Sequence, residues 1–227
     1  MSVMKRRIVI YGNGQYARML HQIQEEEEEG GLEIAAFTAD RKYIKEDSFL
    51  GLPLVAFEAV ERIYPPEEHD MLVCIRTSVI RVRKRTFDKA VAKGYRLPNY
   101  VSPKAHTHSD LKIGRNNLVF GGAHLGPFGQ IGDNNIIRPT AYLGHDYKLG
   151  SHNYIAPACS ISGYCSIKDL CFIGIGSTLM PHVTLADETL IGAGSLALKS
   201  TEPYSKYYGS PAEKKGEHRD TGIVLST

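Results

Sequence analysis

The sequence predicts a chain of two parts, an α/β amino-terminal part and a carboxyl-terminal solenoid of short parallel strands. In the first hundred residues, apolar runs suited to buried strands alternate with amphipathic stretches suited to helices. From about residue 111 to 198, a large aliphatic side chain recurs at every sixth position. We therefore expect one domain over residues 1–100 and a second over residues 101–227.

The amino-terminal part is predicted to hold a small parallel sheet with helices on its faces, a Rossmann-like arrangement. Residues 7–11 form a buried strand, and a glycine turn and an apolar-periodic helix follow it. Further strands are predicted over residues 32–38 and 71–75, the latter leading into another helix. Alternation of strands and helices is typical of such sheets.

Four residues of this part are candidates for holding a ligand. Gly12 and Gly14 follow the first predicted strand, Asp40 follows the second and Arg76 follows the third. Ligands of parallel sheets bind beyond the carboxyl ends of the strands, where helix amino termini and a guanidinium can hold a diphosphate. The third glycine of the full dinucleotide fingerprint is missing, so a simple tight turn is the alternative interpretation.

The six-residue repeat predicts a three-sided prism. Fourteen consecutive positions from Ile113 to Ile191 carry Ile, Val or Leu. Each side of the prism takes six residues: one aliphatic and one small side chain point inward, and a turn follows. Three such sides close a coil of eighteen residues. A glycine often follows the aliphatic residue, which we interpret as the requirement of a sharp turn. These glycines are Gly114, Gly126, Gly132, Gly144, Gly150, Gly174 and Gly192.

Three of the four cysteines fall in the slot for small buried residues. Cys159, Cys165 and Cys171 are six residues apart, so they are predicted to lie on three sides of one coil. We interpret them as core packing rather than as redox or metal groups.

His145 and Asp146 are the candidate catalytic pair of the repeat region. They follow an aliphatic residue and a glycine, so they project from a corner, with Pro127 one coil before the histidine and Gly163 one coil after it. Gly163 is predicted to leave open space for a thioester. An imidazole can take the proton from an attacking amine, and a neighbouring carboxylate can orient it. The alternative is an ordinary surface histidine at a turn.

Composition excludes several partners. The formal charge of +2 results from 27 basic and 25 acidic residues that are interspersed, so we expect neither nucleic acid nor a membrane surface as partner. The first residues contain too few apolar side chains for a signal peptide or a membrane span, which predicts a cytoplasmic protein.

We also predict no metal site. A metal needs several ligands that converge on one point. His124, His145, His152 and His182 are not separated by multiples of eighteen, so they are expected to diverge, and His106 and His108 are not expected to complete a cage.

Several motifs in order give the chain a resemblance to a known family. These are IVIYGNGQYARML near the start, GHD in the middle, CFIGIGSTLMPHVTLADETLIGAGSLALK, and the closing YYGSPA. With them the sequence resembles the bacterial nucleotide-amino-sugar N-acetyltransferases of the bacillosamine-pathway type and the related sialic-acid O-acetyltransferase group. The resemblance implies a left-handed parallel β-helix, a homotrimer with its cleft between neighbouring helices, acetyl-CoA as co-substrate, and a nucleotide-linked amino sugar as acceptor.

The resemblance also implies roles for individual residues. It makes His145 the general base and Asp146 its acidic partner. Five residues are assigned to the coenzyme. Gly163 and Ile175 are expected to line the pantetheine channel, and Gly209 and Pro211 to close it. Tyr154 stands where relatives often have a second histidine. The resemblance assigns Gly12, Gly14, Asp40 and the neighbouring Gln15 to the nucleotide sugar, and Arg76 joins them by its place after the third predicted strand.

Two other functions remain open at this point. The same base could serve an O-acetyltransferase that acts on a sugar hydroxyl of the sialic-acid type. A non-catalytic trimeric scaffold, whose amino-terminal domain senses a nucleotide, would also contain the repeat. Nothing in the sequence specifies the sugar, the amino position or the nucleotide base.

Overall fold

The computed structural model describes residues 7–26, 32–75 and 79–225. The chain falls into two compact units, one drawn from residues 1–77 and 85–98 and the other from residues 78–84 and 99–227. Among the described residues, no helix combines the length and the apolar character needed to cross a bilayer.

The first unit contains a five-stranded sheet. Its strands are β1 (Arg7–Tyr11), β2 (Ile34–Ala39), β3 (Ser48–Phe49), β4 (Leu52–Ala56) and β5 (His69–Val73). They lie in the order β3-β4-β2-β1-β5, and every pair is parallel except β3 with β4. The helices are α1 (Gln15–Glu26), α2 (Val60–Ile63) and α3 (Ile80–Ala92), of which α3 spans the division between the units. The predicted Rossmann-like sheet is confirmed, and β3, β4 and α2 are additions to it.

The second unit is a three-sided prism of two-residue strands. Face 1 holds β6 (Tyr100–Val101), β9 (Leu118–Val119), β12 (Ile136–Ile137), β15 (Tyr154–Ile155), β18 (Phe172–Ile173) and β21 (Leu190–Ile191). Face 2 holds β7 (His106–Thr107), β10 (His124–Leu125), β13 (Tyr142–Leu143), β16 (Ser160–Ile161), β19 (Thr178–Leu179) and β22 (Leu196–Ala197). Face 3 holds β8 (Lys112–Ile113), β11 (Gln130–Ile131), β14 (Lys148–Leu149), β17 (Ser166–Ile167) and β20 (Thr184–Leu185).

The strands of each face pair in parallel with a register of eighteen residues, as Leu125 with Leu143 and Leu143 with Ile161. The second residue of most strands is the predicted aliphatic one, and these side chains form one continuous buried core. The predicted left-handed β-helix of hexapeptide repeats is therefore confirmed. Its first strand begins at Tyr100, ahead of the aliphatic series, because Thr107 interrupts that series in the first coil.

The glycines that follow the aliphatic residues have a different cause from the predicted one. All seven belong to the described residues, and none has a positive φ. Positive φ occurs two positions after these glycines instead, for example at Asn116, Asn134 and Asp146. A Cβ on Gly126 would lie 2.0 Å from the carbonyl oxygen of Gly144. Glycine is therefore needed because successive coils approach closely, and the sharp-turn explanation is wrong.

An asparagine ladder lines the corner between face 3 and face 1. Asn99, Asn117, Asn135 and Asn153 are eighteen residues apart, and the Oδ1 of each accepts the backbone N–H one coil later, at 2.7–2.9 Å. The amide of Asn135 also donates to Oδ1 of Asn117 at 2.9 Å. These bonds satisfy polar groups that the coil buries.

The cysteines of the repeat are core residues, as predicted. All are buried free thiols, and the Sγ of Cys159, Cys165 and Cys171 each donates to a carbonyl fifteen residues later at 3.1–3.2 Å. Ser177 makes the equivalent bond at 2.7 Å. Burial raises the pKa of Cys159 to about 11, so its thiolate is disfavoured.

The carboxyl-terminal segment packs against the second unit. Strands β23 (Ser205–Tyr208) and β24 (Glu213–Glu217) extend face 1, and the following residues contact Arg81. The Arg81 guanidinium pairs with Glu188 at 2.9 Å and donates to the carbonyl of Arg219 at 2.8 Å. Ile223 is fully buried beside Ile80. The described residues after β24 are therefore held by an ion pair, hydrogen bonds and apolar packing.

Replacing Ile223 by alanine is expected to destabilise the second unit by about 2–5 kcal/mol, because it leaves a cavity in a packed cluster. Chemical denaturation of the variant measures this. Val224→Ala is the matched control, since Val224 is 51% exposed. Equal midpoints for the two variants would contradict the packing of this segment.

Candidate active site

His145 and Asp146 occupy the corner between faces 2 and 3, after β13. Asp146 adopts φ of 53°, which aspartate tolerates better than most residues. Its N–H donates to the Pro127 carbonyl at 3.0 Å, and the His145 carbonyl accepts from the Tyr164 N–H at 3.0 Å. The backbone of the pair is thus hydrogen-bonded to the coil before it and to the coil after it. These bonds fix the positions of the two Cα atoms.

The two side chains form a hydrogen-bonded dyad at the surface. His145 Nδ1 lies 2.9 Å from Asp146 Oδ2, and the side chains are 52% and 38% exposed. A carboxylate only accepts, so this contact favours the tautomer in which Nδ1 carries the proton. Nε2 then keeps its lone pair, and no hydrogen bond joins it to any other part of the described chain.

The imidazole lies directly over Gly163. A Cβ built on Gly163 would lie 2.6 Å from Nε2 of His145. The neighbours Pro127 and Gly163 are therefore those that the repeat predicts, but the space over Gly163 holds the imidazole itself. The space predicted to be open is therefore filled by the ring, and the position of the thioester remains a prediction.

Two rings that the sequence analysis missed extend this corner. Tyr164 meets the His145 ring edge-on, with centroids 5.0 Å apart, and stacks on His182 with centroids 5.0 Å apart. Asp146, Tyr164 and His182 are eighteen residues apart, so the coil spacing could have predicted that they share one corner. The Tyr164 ring restricts the directions in which the imidazole can turn.

The residues assigned to the coenzyme lie at three places on the prism. Gly163 shares the corner of His145, whereas Ile175 lies across face 2, at the corner between faces 1 and 2. Gly209 accepts from the N–H of Leu196 at 3.0 Å, which places it and the nearby Pro211 along the corner of Ile175. Tyr154 lies on face 1. A single chain therefore does not bring these residues together.

Tyr154 packs flat against Phe172, with ring centroids 5.1 Å apart and an angle of 9° between the rings. Both side chains are half-buried on face 1. Assignment of Tyr154 to the coenzyme remains a prediction.

In the first unit, the two glycines have different surroundings. A Cβ on Gly12 would lie 2.4 Å from the Cys74 carbonyl oxygen, so glycine is required there by the adjacent strand end. A Cβ on Gly14 would meet none of the described residues within 4 Å. Gln15 is exposed and begins α1. Space for a ligand is thus left at Gly14 and Gln15.

Asp40 follows β2 and is already hydrogen-bonded. Its carboxylate accepts from the Tyr11 hydroxyl and from Lys89 Nζ, the latter at 3.0 Å. Partial burial opposes ionisation of Asp40, but the hydrogen bonds from Tyr11 and Lys89 outweigh this and lower its pKa. Arg76, the fourth candidate, lies outside the described residues.

The set of histidines expected to diverge did not include His106 and His108, and these two converge with His124. One ring nitrogen from each of these three histidines lies within 4.8 Å of the other two. His106 precedes His124 by one coil, so the two lie side by side on face 2. The spacing of eighteen residues between His106 and His124 already indicated this proximity. The sequence analysis compared His124 only with later histidines and therefore missed it.

No family model matches the chain, and no curated protein matches it. Solved structures do match it over nearly its whole length. PerB from Caulobacter crescentus, solved with CoA and GDP-perosamine, is 26% identical, with 92% of this chain and 97% of that chain covered and a TM-score of 0.79.

Two further neighbours share the fold at lower identity. The acetyltransferase domain of PglB from Neisseria gonorrhoeae is 21% identical, with 92% of this chain and 100% of that chain covered and a TM-score of 0.80. WeeI from Acinetobacter baumannii AYE is 18% identical, with coverages of 92% and 99% and a TM-score of 0.74.

The chain is an acyltransferase, and its fold is that of the hexapeptide-repeat acetyltransferases. Within that class, the likeness is to the sugar N-acetyltransferases. The predicted resemblance, fold class and enzyme class are confirmed.

Proposed function

We propose that the chain is an acetyl-CoA-dependent N-acetyltransferase that acts on a nucleotide-linked amino sugar, works as a homotrimer and uses His145 as its general base. The observation that carries this proposal is the His145–Asp146 dyad with Nε2 unengaged at an exposed corner. The likeness to PerB, a GDP-perosamine N-acetyltransferase that was solved with CoA, supports the substrate class and the co-substrate.

The reaction needs a neutral amine and a route for its proton. The amine nitrogen attacks the thioester carbonyl carbon, forming a C–N bond, while Nε2 of His145 takes a proton from the nitrogen. The tetrahedral intermediate collapses by breaking the C–S bond. The imidazolium then returns the proton to the departing thiolate, so His145 ends the cycle neutral.

Asp146 acts on the base rather than on the substrate. Its carboxylate accepts from Nδ1–H at 2.9 Å, which holds the tautomer and stabilises the imidazolium that forms. The Gly163 amide lies beside the imidazole and is our candidate donor to the oxyanion. With these assignments the base and the oxyanion donor come from neighbouring coils of one corner.

The positions of the residues assigned to the coenzyme support the assembly of several copies. Ile175 and the Gly209–Pro211 segment are separated from His145 by face 2. In our proposal a second copy of the chain therefore supplies one of the two corners. Exposed apolar side chains, which favour association, border face 2 in this chain. They are Phe128, Tyr142, Tyr164, Ile175, Met180 and Leu198, each at least 41% exposed.

The nucleotide is assigned to the first unit, beside Gly14 and the amino terminus of α1. Backbone N–H groups at the start of a helix bind phosphate well. Asp40 retains acceptor capacity for a ribose or base after its bonds with Tyr11 and Lys89. Gly12 acts indirectly, by letting the chain pass close to Cys74.

Replacing Gly14 by alanine tests this assignment. The free chain has room for the methyl group and the φ of Gly14 is ordinary, so the fold is expected to persist. In the complex the methyl group would occupy ligand space, so we expect KM for the nucleotide sugar to rise roughly tenfold, about 1.4 kcal/mol, with KM for acetyl-CoA unchanged. Gly216→Ala, also at an open glycine, is the control. An unchanged KM for the sugar would reject the site.

A substrate panel tests the proposed activity itself. The purified chain is incubated with acetyl-CoA and nucleotide-linked amino sugars, alongside matched hydroxyl sugars, and thiol release is followed. We expect turnover of amino sugars only. Turnover restricted to hydroxyl sugars would identify an O-acetyltransferase, and absence of turnover together with nucleotide binding would support the trimeric scaffold.

A further inference from the structure

Three histidines lie together at the first coils of face 2, away from the proposed base. His106 lies in β7, the edge strand of this face, and pairs directly with His124 in β10. His108 follows His106 by two residues, at the end of the same strand. Parallel pairing and the two-residue spacing therefore bring three imidazoles to one outer surface.

The rings are close enough to share a ligand. The His106 and His124 rings stack at a centroid distance of 4.6 Å, and the His108 ring stands edge-on to both, at 5.3 and 6.1 Å. One nitrogen from each ring can be chosen so that all three lie within 4.8 Å of one another. His106 is exposed and the other two are half-buried, so solvent ions can reach the group.

Burial lowers the pKa of His124, and the charges of His106 and His108 lower it further. Neutral imidazole is the form that binds a metal.

We propose that His106, His108 and His124 bind a first-row divalent transition ion, with Zn²⁺ as the representative ligand. Neutral nitrogen donors select zinc, nickel or copper over calcium and magnesium, which need oxygen ligands. Zn–N bonds of about 2.0–2.1 Å in a tetrahedron put nitrogens about 3.3 Å apart. Side-chain rotations that move nitrogens by about 1–1.5 Å close the site, and water takes the fourth position.

The ion would join the first two coils of face 2. The edge strand β7 has a neighbour on one side only, through β10. A metal bond from His106 to His124 spans that single pairing, so bound Zn²⁺ is expected to stabilise the start of the solenoid by mass action.

Zinc titration of tag-free protein against a chromophoric chelator tests the proposal. We expect one ion per chain, and a loss of affinity of at least about a hundredfold for His124→Asn and for the double variant His106→Asn, His108→Asn. His21→Asn and His145→Asn are controls that should keep wild-type affinity, because His21 lies in α1 and His145 at another corner.

A measurement on the unmodified protein avoids dependence on the folding of variants. X-ray absorption at the zinc edge should show three imidazole nitrogens at the Zn–N distance. Binding that is unaffected by the cluster variants, or a spectrum without imidazole ligands, would overturn the proposal. Neither result depends on acetyl transfer, so failure of this proposal would not reject the proposed function.

Discussion

Replacing His145 by alanine is expected to lower kcat by about 10²–10⁴-fold, the usual contribution of a general base. The imidazole is the group whose Nε2 is unengaged beside Gly163, and its Nδ1 is held by Asp146 at 2.9 Å. Without the ring, water must accept the proton of the amine, and water is a much weaker base than imidazole. Steady-state kinetics with saturating acetyl-CoA and nucleotide amino sugar measure the loss.

Binding measurements separate a lost base from a damaged site. We expect the His145→Ala variant to keep its affinity for coenzyme and its oligomeric state, because the loss concerns the reacting proton. His21→Ala, in α1, is the control for removal of a histidine and should turn over normally. A fully active His145→Ala variant would show that another group takes the proton.

Replacing Gly163 by alanine is expected to lower kcat on the order of a hundredfold, although no functional side chain is removed. The new Cβ would lie 2.6 Å from His145 Nε2, so the ring must turn away from its position over the glycine. A displacement of about 1 Å of a catalytic group can cost two orders of magnitude. Kinetics of the purified variant measure the effect.

The fold should tolerate this substitution. Gly163 does not have positive φ, and the atoms nearest the new methyl group belong to a side chain that can rotate. Gly216→Ala makes the same chemical change where no described atom lies within 4 Å and should leave kcat unchanged. If Gly163→Ala and Gly216→Ala had equal kcat, the position of the imidazole over Gly163 would not matter for the reaction.

Much of the solenoid was predictable because every coil repeats the same packing problem. The aliphatic series from Ile113 to Ile191 marks the core, and the asparagines at eighteen-residue spacing mark a corner that the sequence analysis overlooked. Handedness was not predictable from spacing, since both hands place the same residues inside. Close contact between coils, which explains Gly126, could not be seen either, because it depends on backbone distances.

In the candidate site, the positions of residues were predictable from the repeat, whereas side-chain orientations and long-range contacts were not. His145 and Asp146 could be placed at a corner from the repeat alone, and Gly163 beside them. The orientation of the ring could not, because it depends on a side-chain torsion. The bond from Lys89 to Asp40 joins residues 49 apart in the chain, so no local pattern indicates that Asp40 is already engaged.

A crystal structure of the chain with CoA and a bound nucleotide amino sugar tests the central claim most directly. The measured quantity is the distance from Nε2 of His145 to the amine nitrogen of the sugar. We predict a hydrogen bond of about 2.6–3.2 Å, with the coenzyme thiol on the far side of that nitrogen and a second copy of the chain lining the channel. A sugar amine bound away from the corner of His145, with the thiol directed elsewhere, would contradict the account.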